Sequence, residues 1–356
     1  MDSQPGRTSA FPIMWKDWPA LITAGGIGTR LLPFSKEIPK EMFPIITCNG
    51  DRTLELKPVV QAIFEQLHSA GVRTFYIVVG RGKRAIEDHF SPDSRFLEFL
   101  DKRGKAARGL ADFYARIRSS SLAFLNQPEP LGFGDAVRLG QPVIKGTFLV
   151  QAADTFILSE GDEYLDRLAT MHHRYAASAT ILLQDVPDPR HYGVAEGEYL
   201  EEGVTRITSL AEKPELPKSN HAIMPVYLFT DSIFEALAEI RPGYGGEVQL
   251  TDAIQRLVIA GKPVIGVKLR SDEIRLDLGS VETMREALKM SMWYIDQKTR
   301  WTPEPETPSR ALPRASANGS APDPLSVEPE APVPTISIPV ERAKESREVP
   351  GVRVDE

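Results

Sequence analysis

The apolar run Leu21-Ile22-Thr23-Ala24 breaks directly into Gly25-Gly26-Ile27-Gly28-Thr29-Arg30, and Lys36 and Lys40 follow closely. A strand that ends in glycines restricts the folds open to this chain, because the turn must lie where the backbone comes close to something else. Glycines let a ligand approach without a Cβ in the way, and their N–H groups can cradle phosphate oxygens. The cations beyond them can neutralise the same phosphates. The segment therefore reads as a site for a nucleoside triphosphate. It is not a dinucleotide fingerprint, because Leu31 stands where G-x-G-x-x-G needs its last glycine. No G-x-x-x-x-G-K-[ST] occurs either, which excludes a P-loop.

The segments after this loop alternate between strand and helix patterns. Residues 19–24 are strand-like. Residues 54–68 place Leu54, Val59, Val60, Ile63, Phe64 and Leu67 at helical spacing, with Gly71 as the stop. Residues 74–79 are β-rich, 83–90 helical, and 96–118 helical and peripheral. Strands at 122–125 and 147–150 flank a short helix at 134–140. This rhythm predicts an α/β fold, with a mostly parallel sheet covered by helices on both faces. After Tyr175 the strands at 179–186, 192–195, 205–210 and 223–229 have few helices between them, which predicts an antiparallel or mixed portion. Helices return at 231–240, 250–260 and 281–294. Ligands of such sheets bind beyond the carboxyl ends of the strands.

The chain has 356 residues, 42% of them hydrophobic, enough for a sizeable core. Its net charge of −7 argues against a general nucleic-acid binder. Cys48 is the only cysteine, so there is no intrachain disulfide and no thiolate metal site. No apolar run approaches the ~20 residues that span a bilayer, and residues 1–16 lack the pattern of a signal peptide. A cytoplasmic location is expected. The last 55 residues hold 11 prolines and more acidic than basic residues, 10 against 6. A disordered tail is expected over 299–356, behind a catalytic domain at 18–298 and an extension at 1–17. A partner-binding role for residues 336–340 is the alternative to plain disorder.

Further motifs carry candidate chemistry. Residues 127–136, Gln-Pro-Glu-Pro-Leu-Gly-Phe-Gly-Asp-Ala, form a second glycine-bearing loop. The Gln127 amide suits the edge of a pyrimidine base, though the segment fits an ordinary turn equally. Asp154 and Asp277 each close an apolar run. If they converge, they offer hard oxygen ligands for Mg²⁺; singly, each fits a helix cap or turn. In Glu212-Lys213-Pro214 the lysine suits a sugar phosphate and the glutamate suits sugar hydroxyls; alone, the tripeptide is a solvated strand end. His172 and His173 read as surface residues on a helix, without a role.

Taken together, these residues resemble the sugar-1-phosphate nucleotidyltransferases. The matching pieces are residues 24–31 with Pro39-Lys40-Glu41-Met42, residues 127–136, Asp154, Glu212-Lys213-Pro214 and Asp277-Leu278-Gly279. Residues 36–42, the long block 80–90 and the block 246–253 are similar to the prokaryotic UTP–glucose-1-phosphate uridylyltransferases. The resemblance covers roughly residues 18–297. It implies a three-layer Rossmann-like nucleotidyltransferase fold with a mixed, mostly parallel central sheet. It also implies Mg²⁺-dependent conversion of UTP and glucose 1-phosphate to UDP-glucose and pyrophosphate. Arg30 and Lys40 would bind the triphosphate, and Asp154 and Asp277 would hold the metal. Gln127 and Gly132 would recognise uracil, with Ala24, Gly25 and Gly26 near the nucleoside. Lys213 would bind the phosphate of the sugar phosphate, and Gly193, Glu212 and Ile223 would line the sugar pocket. A homo-oligomer, dimer or tetramer, is implied, with helix 281–294 as a contact surface.

Two positions depart from the pattern. Ala153 stands where many relatives carry Gly or Pro, and Asp135 stands where bacterial members often carry histidine. A thymidylyltransferase making dTDP-glucose is the nearest alternative. A catalytically silent sugar-nucleotide-binding regulator is another, but Arg30, Lys40, Asp154 and Asp277 are all present. No hexapeptide repeat marks an appended β-helix domain.

Overall fold

A computed structural model describes residues 15–48, 53–104 and 107–299. The expected extension at 1–17 and the expected tail at 299–356 fall almost wholly outside these residues. The strands are β1 (Ala20–Ala24), β2 (Pro44–Cys48), β3 (Leu54–Pro58), β4 (Thr74–Gly80), β5 (Ser121–Gln127), β6 (Phe148–Ala152), β7 (Thr155–Leu158), β8 (Ala179–Asp185), β9 (Gly193–Glu201), β10 (Val204–Glu212), β11 (His221–Phe229), β12 (Val264–Lys268) and β13 (Ile274–Asp277). The α-helices are α1 (Val59–Ala70), α2 (Arg84–His89), α3 (Ser94–Lys102), α4 (Arg108–Arg118), α5 (Phe133–Arg138), α6 (Glu163–Arg174), α7 (Ser232–Glu239), α8 (Leu250–Ile259) and α9 (Val281–Thr299).

Nine strands form the main sheet in the order β5-β4-β1-β6-β11-β8-β12-β10-β9. The half β5-β4-β1-β6 is parallel throughout. Beyond β6, β11 runs antiparallel to both its neighbours. β12 pairs parallel with β8, and β10 pairs antiparallel with β12 and β9. The additional pairing of Ala222 on β11 with Val194 on β9 partly closes this end of the sheet. The β7–β13 ribbon and the β2–β3 hairpin stand apart from the main sheet.

Side-chain alternation sorts the core into two layers. On β1, Ile22 and Ala24 join one buried cluster while Leu21 joins the other. On β4, Phe75, Ile77 and Val79 belong to the first and Val78 to the second. The same period of two continues through β6 and β11. α1, α4 and α6 supply the first cluster, and α5, α7 and α8 the second. Within the first, Phe64 packs on Phe75 at 4.6 Å between ring centroids and meets Phe90 edge-on at 5.3 Å. Each such buried ring contributes roughly 1.5–3 kcal/mol through the area it removes from water.

Three sequence expectations need correction. The predicted helix at 54–68 begins only at Val59. Leu54–Pro58 is instead β3, paired antiparallel with β2, and Pro58 marks the junction, since a prolyl ring is tolerated only at a helix start. Gly71 ends α1 as expected, at φ 121° with its N–H bonded to His68 and Leu67 carbonyls. The region 96–118 is two helices, and only α3 is peripheral; α4 buries Phe113, Tyr114 and Ile117. His172 is not a surface residue. It is 5% exposed, its Nδ1 lies 2.9 Å from Thr180 Oγ1, and Trp18 meets it edge-on. His173 is exposed.

Burial, with His173 nearby, lowers the His172 pKa from 6.5 to about 4. The folded protein thus holds this ring neutral while the unfolded chain takes up a proton below pH 6.5. The stabilising neutral packing is intact above that pH and weakens as the pH falls toward 4. At pH 5 the cost relative to pH 7.5 is about 2 kcal/mol. Urea denaturation at both pH values should show this loss in the wild type. A His172→Gln variant should lose less between the two pH values, whatever its stability at pH 7.5. An equal loss in both proteins would contradict the neutral assignment.

Candidate active site

The parallel half of the sheet delivers its carboxyl ends to one edge. Ala24 pairs with Val79, Gly80 with Gln127, and Thr23 with Ala152. Gly25, Gly80, Gln127 and Asp154 therefore arrive side by side. The glycines are required by close approach. A Cβ on Gly25 would overlap Gln127 Oε1, and one on Gly80 would stand 3.0 Å from the Gly25 carbonyl. Gly28 has φ 72°, in the left-handed region that favours glycine, and accepts a 2.7 Å hydrogen bond from Ser35 Oγ.

Lys40, just past that loop, forms a hydrogen-bonded ion pair with Asp154. Burial disfavours the Lys40 ammonium, but Asp154, with Glu41 and Asp277, outweighs burial and raises its pKa. Asp154 shows the reciprocal effect. Burial pushes its carboxyl up, and the charge and hydrogen bond of Lys40 more than offset this, leaving it below the usual range. The next residue, Glu41, is 1% exposed and accepts a 2.7 Å hydrogen bond from Lys83, itself 7% exposed. Burial raises the Glu41 pKa, with Lys83 and Lys40 opposing. This buried pair ties the segment carrying Lys40 to the turn after β4.

Asp277 reaches the same place from the far end of the chain. β13 pairs antiparallel with β7, opposing Asp277 to Thr155, and the Leu278 N–H bonds the Asp154 carbonyl at 3.0 Å. Asp277 Oδ1 accepts from the Gly279 N–H at 2.7 Å. Two carboxylates facing one chamber, Asp154 paired with an ammonium and Asp277 beside the Arg275 guanidinium, are a hard-oxygen donor set suited to a divalent cation. Among the described residues no three His, Cys, Asp or Glu side chains converge. The pair thus leaves coordination positions for phosphate oxygens and water.

The sugar-pocket candidates also gather. A Cβ on Gly193 would stand 3.0 Å from Ile223 Cδ1 and 3.1 Å from Glu212 Oε2. Glu212 accepts a 2.6 Å hydrogen bond from Thr251 Oγ1 and lies 3.1 Å from Lys213 Nζ. Lys213 has φ 43°, and its ammonium sits 4.9 Å from the Tyr244 ring centroid.

Two adjoining chambers result. One, of about 420 Å³, is lined by Gly25, Gly26, Gln127 and Gly132. The other, of about 600 Å³, is lined by Arg30, Gly193, Glu212, Lys213, Ile223 and Asp277. Gly26, Gly28, Lys40 and Asp154 belong to both walls. Ala24, buried at the end of β1, lies behind the first. Arg30 is exposed at the rim of the second.

Arg275 belongs to no motif singled out in the sequence. Arg275 lines the larger chamber, lies over the Tyr192 ring, and donates to Tyr192 Oη at 2.9 Å and to Asp277 at 3.4 Å. Its place two before Asp277 on a strand, hence on the same face, was the available signal. The 246–253 block acts as a brace. The Gly134 N–H bonds the Val248 carbonyl at 2.8 Å, and the Val248 N–H bonds the Leu131 carbonyl at 2.8 Å. A Cβ on Gly132 would stand 2.7 Å from that Val248 carbonyl. Asp135, 4% exposed, accepts from Gln127 Nε2 at 2.9 Å and from Arg138 at 2.6 Å.

Residues 19–292 match the family model described as nucleotidyl transferase. A Pseudomonas aeruginosa protein named UTP–glucose-1-phosphate uridylyltransferase is 35% identical over 273 residues, covering 75% of this chain and 93% of its own length. A Bacillus subtilis protein of the same name is 35% identical over 256 residues, covering 67% and 79%. Among solved structures, a UDP-glucose pyrophosphorylase complexed with UDP-glucose superposes with a TM-score of 0.66 at 32% identity, covering 79% of this chain and 99% of that one.

The Glu41–Lys83 pair yields a direct test. Lys83→Met leaves Glu41 buried without its partner and should cost about 3–5 kcal/mol of stability in urea denaturation. Adding Glu41→Leu should recover most of that loss. A loss below about 1 kcal/mol for the single variant would show that the pair does not anchor this segment.

Proposed function

The chain belongs to the nucleotidyl transferase family, and from that premise we propose that it converts UTP and glucose 1-phosphate to UDP-glucose and pyrophosphate. The observation that carries the reading is the pair of chambers with Lys40 and Asp154 in their shared wall. A reaction joining two phosphorylated substrates needs a common point between two pockets, with charge neutralisation there.

The smaller chamber takes the nucleoside, with the base against Gln127 and Gly132 and the sugar beside Ala24 and Gly25. The backbone of Gly25, Gly26 and Gly28, with Arg30 and Lys40, receives the triphosphate. The larger chamber takes glucose 1-phosphate, its hydroxyls toward Gly193, Glu212 and Ile223. Lys213 and Arg275 hold its phosphate. A phosphate oxygen of the sugar phosphate attacks the α-phosphorus in line, the bond from the α-phosphorus to the bridging oxygen breaks, and pyrophosphate leaves with that electron pair. The nucleophile is already an anion at neutral pH, so no general base is needed. Lys40 and Arg30 neutralise charge where it accumulates, and the chambers align the reactants. When bound by Asp154 and Asp277, Mg²⁺ would supply further neutralisation of the phosphate oxygens.

The same reading places catalysis within residues 18–298 and the reaction in the cytoplasm. Both substrates are polyanions that do not cross a bilayer unaided. Among the described residues no helix is long and apolar enough to cross a membrane. A homo-oligomer is part of the proposal, with α9 as the candidate contact.

Pyrophosphate release from UTP and glucose 1-phosphate is the deciding assay, with dTTP as the competing nucleotide. Turnover faster with dTTP would move the reading to thymidylyl transfer, and none with either nucleotide would overturn it. Asp154→Asn and Asp277→Asn should each lower kcat by about 10³-fold or more without loss of fold by circular dichroism. Full activity in either would remove that residue from the metal site. Lys213→Ala should raise KM for glucose 1-phosphate about tenfold and leave KM for UTP unchanged. An unchanged KM for the sugar phosphate would exclude the assigned contact.

A further inference from the structure

Gln127 closes the end of the smaller chamber with an amide whose two faces differ in kind. Its Nε2 donates to Asp135 Oδ2 at 2.9 Å and to the Gly132 carbonyl at 3.3 Å, so both amide hydrogens are engaged within the protein. Its Oε1 lies against Gly25, in the space that a Cβ there would take, and Gly25 and Gln127 line the chamber together. Among the described residues no hydrogen bond to Oε1 is present.

The orientation is not a free choice for the side chain. A primary amide can turn over and exchange its oxygen and nitrogen at little steric cost. Here the group behind it is a carboxylate, which only accepts. Turning the Gln127 amide over would set Oε1 against Asp135 Oδ2 in a buried place and leave the carboxylate oxygen unsatisfied. Asp135 is held in turn by Arg138 on the next turn of α5.

We infer that Asp135 is a positioning residue for base selection: by engaging the Gln127 amide nitrogen it fixes Oε1 as an acceptor toward the base, so the chamber favours a pyrimidine with a ring N–H at that edge. This rests on the proposed nucleotide site. Uracil and thymine carry such an imide N–H, whereas cytosine has a bare ring nitrogen there, which would face Oε1 acceptor to acceptor. The buried mismatch is the kind of repulsive element that separates otherwise similar ligands.

The test uses the full-length protein, with UTP and CTP binding measured by titration calorimetry and steady-state kinetics alongside. Asp135→Asn keeps the shape but can offer either an oxygen or an NH₂ to Gln127, which leaves the longer bond to the Gly132 carbonyl as the one fixed restraint against the amide turning over. It should weaken UTP binding about tenfold and narrow the UTP-to-CTP preference by at least about tenfold. KM for glucose 1-phosphate should stay within about twofold of wild type. In a Gln127→Ala background the same substitution should have no further effect on the UTP-to-CTP ratio. Should Asp135→Asn fail to fold, Asp135→Ser is expected to give the same narrowing, because its hydroxyl is too short to keep the contact. A folded variant with an unchanged ratio would overturn the inference, as would an equal change in the Gln127→Ala background, which would make Asp135 merely structural. Wild-type protein that binds neither UTP nor dTTP would defeat the functional reading itself, and the inference with it. Wild-type binding with an unresponsive Asp135 would defeat the inference alone.

Discussion

The in-register parallel pairing of β5, β4, β1 and β6 is the constraint on which the rest depends. It sets Gly25, Gly80, Gln127 and Asp154 at one edge although they come from four separate parts of the chain. The register is fixed by the core rather than by the site. Leu21 and Ile22 belong to opposite apolar layers, so a slip of one residue would turn each strand's buried set to the wrong face. The burial that stabilises the protein thereby also places the functional groups.

At that edge, two adjacent residues of one chain segment pair in opposite senses. Lys40 offers a cation to Asp154, and Glu41 offers an anion to Lys83. The first pair lies in the wall shared by the chambers, and the second is almost wholly buried beside it. Lys40 is thus anchored from behind while its ammonium stays at the boundary between the two pockets. Asp277 completes the arrangement from the β7–β13 ribbon, which has no part in the main sheet.

The legible parts of the sequence were those whose cause is local. Glycines at 25 and 28 announce close approach and a left-handed turn because no other residue fits there easily. Apolar periodicity placed α1, α8 and the parallel strands, and the change after Tyr175 marked where antiparallel pairing begins. Hidden features depended on partners far along the chain. Leu54 looks helical beside Val59, and only the β2 partner makes its segment a strand. His172 has polar neighbours in sequence, and its burial comes from Trp18 and Thr180. Gln127 and Asp154 were visible as candidates, but Asp135 and Arg275 gain meaning only from the side chains they touch.

The buried Glu41–Lys83 pair also bears on how this region moves. Peeling the 40–42 turn away from the segment after β4 would strip two charges of each other inside a low-dielectric interior, or require both to be hydrated at once. Small, cheap fluctuations are therefore suppressed at the boundary between the chambers. Opening of that segment is tied to the cooperative unfolding of the β4–α2 region rather than to fraying of a surface loop. Backbone amides there should exchange with solvent at rates closer to those of the central strands than to those of ordinary turns.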